Sequence, residues 1–213
     1  MEKVLFVTGI DTNIGKTYAT AFLAKKFSKE GQRIITQKLI QTGCVDTSED
    51  IDTHRALLGD EYNEEDKAHL TAPVIFSYPA SPHLAAKIDK RTIDFNKIDD
   101  ATSELIHRGY DRVLLEGAGG IMVPLTEDYL IIDFIRDHHY PVAIVTSGRL
   151  GSINHTLLTI EACLRRNIKI ERILYNLYPQ TDSIIEEDTM EYIREYIRKH
   201  LPKTEFDIIP EHH

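Results

Sequence analysis

Several side chains in this sequence are spaced to handle phosphate. The segment Gly9-Ile10-Asp11-Thr12-Asn13-Ile14-Gly15-Lys16-Thr17 follows the apolar run Val4-Leu5-Phe6-Val7 and opens a helical pattern. Glycines let backbone N–H groups turn inward around phosphate oxygens, and the helix N-terminus behind them adds a positive dipole end. Lys16 is placed to reach β- and γ-phosphates, and Thr17 to set its hydroxyl on Mg²⁺. The usual spacing would put the first glycine where Ile10 stands. Gly9 comes one residue early, so the loop belongs to a variant class.

Two further positions suit the same chemistry. Glu116 ends the apolar run Val113-Leu114-Leu115 and precedes Gly117-Ala118-Gly119-Gly120. Ligands of an open parallel sheet gather beyond the carboxyl ends of its strands, so Glu116 should project towards the phosphates and meet Mg²⁺ beside Thr17. Asp52 or Asp50 could complete the metal shell. Lys38 lies among apolar strand residues, a costly place for an ammonium that meets no anion. Beside a phosphate loop it can stabilise charge on a transferring phosphoryl group. Gly148 to His155 follows another apolar run and opens a helix at Ser152, which makes either a second anion site or an ordinary serine cap.

These residues need a scaffold that carries strand ends to one place. Apolar strand-length runs recur at residues 4–7, 33–40, 113–115, 142–145 and 170–175, with helical patterns at about 17–30, 97–108, 128–138, 153–166 and 183–200. Strands separated by helices require a parallel sheet with right-handed crossovers. The expected fold is therefore α/β, an open parallel sheet with helices on both faces. It is expected to form a single P-loop NTPase-like domain over residues 1–213. Residues 42–81, with acidic stretches at 46–52 and 60–66, read as solvated loop with a short helix.

Composition narrows the function further. The chain has 213 residues, 42% of them hydrophobic, and a formal net charge of −9. That charge argues against broad binding to nucleic acid. The short apolar start up to Gly9 resembles no signal peptide, and no run approaches the ~18 apolar residues of a membrane span. A cytoplasmic protein is expected. Cys44 and Cys163 form no metal or redox motif and read as free thiols.

Taken together, the loop, Lys38, Thr42-Gly43, Ser81-Pro82-His83, Glu116-Gly117-Ala118-Gly119-Gly120 and Leu150-Gly151-Ser152-Ile153-Asn154-His155 resemble the dethiobiotin synthetase family. The matches run in the family's order over roughly residues 3–176, and the variant loop spacing is similar too. The resemblance implies a homodimeric enzyme that uses MgATP to join 7,8-diaminononanoate and CO₂ or bicarbonate into a ureido ring. By position it implies nucleotide contacts from Thr12, Asn13, Ile14, Gly15, Lys16, Thr17 and Tyr18. Glu116, Gly117, Ala118 and Gly119 add to them, and Asn176 reads the base. It places Mg²⁺ on Thr17, Glu116 and Asp52, and catalysis on Lys16 and Lys38. Thr42 and Ser81 would meet the substrate. Leu150, Gly151, Ser152 and Asn154 would take its carboxylate, reaching across from the other subunit.

Two features depart from that family. Leu177 stands where an aspartate often follows the base-reading asparagine, and the sequence ends at Ile209-Pro210-Glu211-His212-His213. Weak discrimination among nucleoside triphosphates is the expected result. A partitioning or targeting ATPase, the rival class, carries a signature lysine at the position of Asp11. An amidating synthase of similar loop would need a fused glutaminase domain with a cysteine nucleophile.

Overall fold

Side chains of β1 (Val4–Gly9) alternate between two separate cores. Val4 and Phe6 enter one and Leu5 and Val7 the other, as expected of a strand covered on both faces. The computed structural model describes residues 2–178 and 182–210. After β1 come α1 (Lys16–Lys29), β2 (Ile34–Lys38), β3 (Gln41–Thr42), α2 (Glu49–Leu58) and α3 (Glu64–Lys67). The middle of the chain forms β4 (Ile75–Phe76), α4 (Pro82–Ile88), α5 (Phe95–His107), β5 (Arg112–Gly120), α6 (Ile131–Asp137) and β6 (Val142–Ser147). The last part forms α7 (Ser152–Arg165), β7 (Ile170–Asn176), α8 (Ser183–His200) and β8 (Glu205–Ile209).

Six strands form one parallel sheet in the order β2-β5-β1-β6-β7-β8. The chain leaves β1 for one side of the sheet and later returns to its other side at β6. The crevice at such a reversal is where ligands of open α/β sheets bind, and the phosphate loop starts there. The larger core joins the sheet to Leu105 of α5, Phe134 of α6, Ile160 of α7 and Ile193 of α8. The smaller core receives Leu23 and Phe27 of α1, with Leu58 of α2 against it. Helices therefore cover both faces, as the strand patterns predict. Among the described residues no helix is long and apolar enough to cross a membrane.

Residues 42–81 carry more structure than the expected solvated loop with a short helix. Ser48 caps α2 by accepting from the Ile51 amide at 3.3 Å, and Glu49, Asp50 and Asp52 crowd the first turn, where the helix dipole favours carboxylates. Ile51, His54 and Arg55 are buried. Arg55 grips Asp66 with two bonds of 2.8 and 2.9 Å, and Asp66 also closes a capping box with Asn63. β3 and β4 pair as a small parallel sheet of their own. These acidic residues therefore serve as caps and buried anchors as well as solvated surface.

The sequence reading also missed β8, which has no continuous apolar run. Its polar residues are held instead by charge. Arg172 Nη1 lies 2.7 Å from Asp207 and 2.8 Å from Glu205, and Lys26 Nζ lies 2.6 Å from Asp207. The Arg112 and Arg172 guanidiniums flank the Phe27 ring at 5.0 and 4.9 Å. Arg112 pairs with Glu171 at 2.6 Å. Cys163 is buried in the larger core, where burial pushes its thiol up to about 12, whereas Cys44 is half-buried beside β3.

Candidate nucleotide and metal site

The loop between β1 and α1 turns through two left-handed residues, Asn13 at φ 57° and Gly15 at φ 93°. Asparagine tolerates that region, and at Gly15 a Cβ would fall 2.3 Å from Asn176 Nδ2. Gly9 is equally constrained, since its Cβ would lie 2.4 Å from the Ile14 side chain. The early glycine is thus required by packing under the loop. Asn176, at the end of β7, donates from Nδ2 to the Ile14 carbonyl at 3.0 Å and accepts at Oδ1 from the Tyr178 amide at 3.1 Å.

A cavity of about 560 Å³ opens over this loop. Thr12, Asn13, Gly15, Lys16, Thr17 and Tyr18 line it from the loop side, Lys38, Thr42, Glu116, Ala118 and Gly119 from the neighbouring strands, and Asp50 from α2. Asn176, Tyr178 and Pro210 close its far end. The size suits a nucleotide-sized ligand.

At its floor, strand pairing sets Lys38 opposite Glu116. Lys38 Nζ lies 2.8 Å from Glu116 Oε1, 2.5 Å from Asp50 Oδ2 and 3.1 Å from the Gly117 carbonyl. Thr17 Oγ1 lies 2.8 Å from Asp50 Oδ1 and 3.4 Å from Glu116 Oε1. Burial alone would lower the Lys38 pKa, but Glu116 and Asp50 hold it above the lysine range. Burial likewise pushes Glu116 up and is overridden by Lys38 and His54, which hold the carboxyl well below its usual range. Lys16 has no such ion pair. Burial brings it down to about 8, and its Nζ donates to the Asp11 carbonyl at 3.0 Å. Arg149, from the loop after β6, forms an ion pair with the Asp11 carboxylate.

Two carboxylates and a hydroxyl around one point are hard oxygen ligands. A Mg²⁺ ion takes such a set when phosphates and water complete its octahedron. The carboxylates at this point are Glu116 and Asp50; of the two aspartates the sequence offered, Asp50 lines the cavity and Asp52 does not. With α2 starting at Ser48, Asp50 faces the cavity, while Asp52 sits two residues on, near the opposite side of the helix, and is exposed. A reading that took the segment for loop had no means of separating them.

Ile14 and Gly117 contribute backbone carbonyls behind the cavity wall. Ser81 stands at the start of α4 without a side-chain capping bond, its Oγ 3.1 Å from His83 Nδ1, and is not part of the cavity lining. Ser152 is buried beside Ser147, while Leu150 and Asn154 are exposed. Within one chain, Leu150, Gly151, Ser152 and Asn154 are not brought to the cavity. Sequence reasoning missed Tyr178, Pro210 and the buried His54, whose Nε2 lies 2.9 Å from Glu116. The helical spacing of Asp50 and His54, four residues apart, was the available signal. The terminal residues Glu211-His212-His213 lie outside the described residues.

Fold and site define a P-loop nucleotide-binding α/β protein. The AAA domain family matches residues 3–204. An ATP-dependent dethiobiotin synthetase of Pasteurella multocida is 50% identical over 209 residues, covering 98% of each chain. One from Chlorobaculum tepidum is 48% identical over 198 residues, 93% of this chain and 82% of that one. The chain belongs to the dethiobiotin synthetase family. Solved structures with similar folds include the MinC:MinD cell division complex of Aquifex aeolicus, at TM-score 0.59 and 18% identity over 99% of this chain and 82% of that one. The signal recognition particle receptor FtsY of Elizabethkingia anophelis follows at 0.55 and 13%, over 100% of this chain and 60% of that one. These two share the fold alone.

Proposed function

We propose that the chain is an ATP-dependent dethiobiotin synthetase, a ligase that closes the ureido ring of dethiobiotin from 7,8-diaminononanoate and CO₂. The observation that carries this reading is Lys38, buried against Glu116 and Asp50 beside the phosphate loop, in a chain half identical to such enzymes over nearly its whole length. One amine takes up CO₂ and loses a proton, giving a carbamate. A carbamate oxygen attacks the γ-phosphorus and ADP leaves, forming a carbamic–phosphoric anhydride. The second amine then attacks the carbonyl carbon, expelling phosphate and a proton as the ring closes.

No protein nucleophile is needed, so the residues act by positioning and by neutralising charge. The turned loop amides and Lys16 hold the phosphates, and Lys38 stabilises charge on the transferring group. Thr17, Asp50 and Glu116 would hold Mg²⁺, which when bound neutralises charge on the β- and γ-phosphates. Thr42, on the cavity wall, is suited to orient the substrate nitrogens. In a homodimer, the start of α7 from Leu150 to Asn154 would serve the substrate carboxylate of the neighbouring subunit, and Ser81 would meet the substrate. Residues 1–213 act as one nucleotide-binding domain in the cytoplasm. Phosphate release from MgATP should require both the diamine and bicarbonate. Release that ignores the diamine would point to a switch ATPase instead.

A further inference from the structure

His54 belongs to the site cluster yet touches neither the cavity nor solvent. It is fully buried on α2, one turn after Asp50, and its Nε2 lies 2.9 Å from Glu116 Oε2. Thr20 Oγ1 of α1 lies 3.1 Å from the same oxygen. The two carboxylate oxygens therefore have different surroundings. Oε2 is pinned from behind by two helices, while Oε1 faces Lys38 and Thr17 at the cavity floor.

The other ring nitrogen, His54 Nδ1, is buried with no hydrogen-bond partner among the described residues. The tautomer that fits carries its proton on Nε2 and donates it to Glu116, since Nδ1 has no acceptor to receive one. An unpartnered buried polar atom costs stability that an apolar side chain of similar size would not. Packing alone therefore gives no reason for histidine here, and the bond to Glu116 does.

We infer that His54 is a positioning residue, which fixes the Glu116 carboxylate so that Oε1 points at the metal. The inference rests on the reading of Glu116 as a metal carboxylate and goes beyond it. Partners behind a ligating group orient it, and their loss typically weakens metal affinity by ~10–100-fold. The same magnitude is expected here because a freed Glu116 could turn both oxygens onto Lys38.

The test is Mn²⁺ binding, followed by electron paramagnetic resonance in the presence of a non-hydrolysable ATP analogue. Metal-free analogue binding and thermal midpoint are measured alongside. His54→Leu should raise the Mn²⁺ dissociation constant about 10-fold or more, with metal-free analogue binding within about threefold of the unaltered protein. His54→Gln, whose amide can reach Oε2, should stay within about threefold on both. If the leucine variant does not fold, His54→Asn, whose shorter amide stops short of Oε2, must bind Mn²⁺ about 10-fold more weakly than His54→Gln. Equal Mn²⁺ binding by folded His54→Leu and the unaltered protein overturns the role of His54 alone. So does equal binding by the asparagine and glutamine variants. Failure of the unaltered protein to bind Mn²⁺ with the analogue overturns the metal site as well.

Discussion

Paired charge collects at both ends of the central sheet, and the two clusters are built differently. At the amino-terminal end, Lys26, Arg112 and Arg172 meet Glu171, Glu205 and Asp207, three cations against three carboxylates. Both guanidiniums also lie over the Phe27 ring, so the group is neutral and packed. At the carboxyl-terminal end, Lys38 alone contacts both Glu116 and Asp50, and the cluster borders a cavity. That set is one positive charge short and has space in which to receive it. A balanced cluster stabilises a fold; a deficient one beside a phosphate loop binds. Charge count and access distinguish them better than burial does.

The sharpest way to break the comparison is to remove one cation from each end. Lys38→Ala should lower kcat by 10²-fold or more, ~3 kcal/mol at the phosphoryl-transfer transition state, while the protein still binds nucleotide. Steady-state kinetics and direct ATP binding would check it. A near-normal kcat would place Lys38 with the structural cations.

Arg172→Ala should do the reverse. Loss of the buried Arg172 leaves Asp207 with Lys26 alone and takes one guanidinium off the Phe27 ring, which costs roughly 3 kcal/mol, a fall in thermal midpoint of about 6–12 °C, with kcat within about threefold; the exposed Glu205 adds little. Calorimetry and kinetics on one preparation suffice. An unchanged midpoint with lost turnover would mean that both clusters serve the reaction.

Lys16 sharpens the contrast through pH. Burial holds it near 8, below the lysine range, so its ammonium discharges as pH rises through that value. ATP binding needs the charged form, so affinity should weaken above about pH 8, by at most tenfold per pH unit for one proton. Lys16→Arg, which stays charged, should flatten the profile over the same range. A flat profile in the unaltered protein would show that Lys16 keeps its proton without help from phosphate.

The smallest effect concerns the base. Asn176 gives one amide proton to the Ile14 carbonyl and one oxygen lone pair to the Tyr178 amide, which leaves one donor and one lone pair for a base edge. GTP and CTP should then support turnover with kcat/KM within about tenfold of ATP, since one amide hydrogen bond is worth only ~1 kcal/mol. Kinetics with the three nucleotides at one Mg²⁺ concentration decides. A preference for ATP above about a hundredfold would reveal a base-reading group elsewhere.

Chemistry borne on buried strands was the most legible part of the sequence. Lys38 and Glu116 stand out because charge inside apolar runs is costly, and the loop because glycine, lysine and threonine recur there for a geometric reason. Their contact was not legible, since it depends on which strands are neighbours and in what register. The choice between Asp50 and Asp52 turned on where α2 begins. Ser48 and the apolar Ile51 carried that signal, which an abundance of acidic residues masked. β8 was hidden because its alternating residues are fixed by Lys26 and Arg172, distant in sequence. His54 could not be found from composition, because a buried histidine reads as core until its partner is known.

The thiols have a practical consequence. Cys163 is sealed in the core with its ionisation suppressed, so a maleimide dye should react at Cys44 alone. Cys44 lies two residues beyond Thr42, the last residue of β3 and part of the cavity lining. An unaltered chain thus carries its own attachment point for a fluorophore, close enough for its emission to follow ligands entering and leaving.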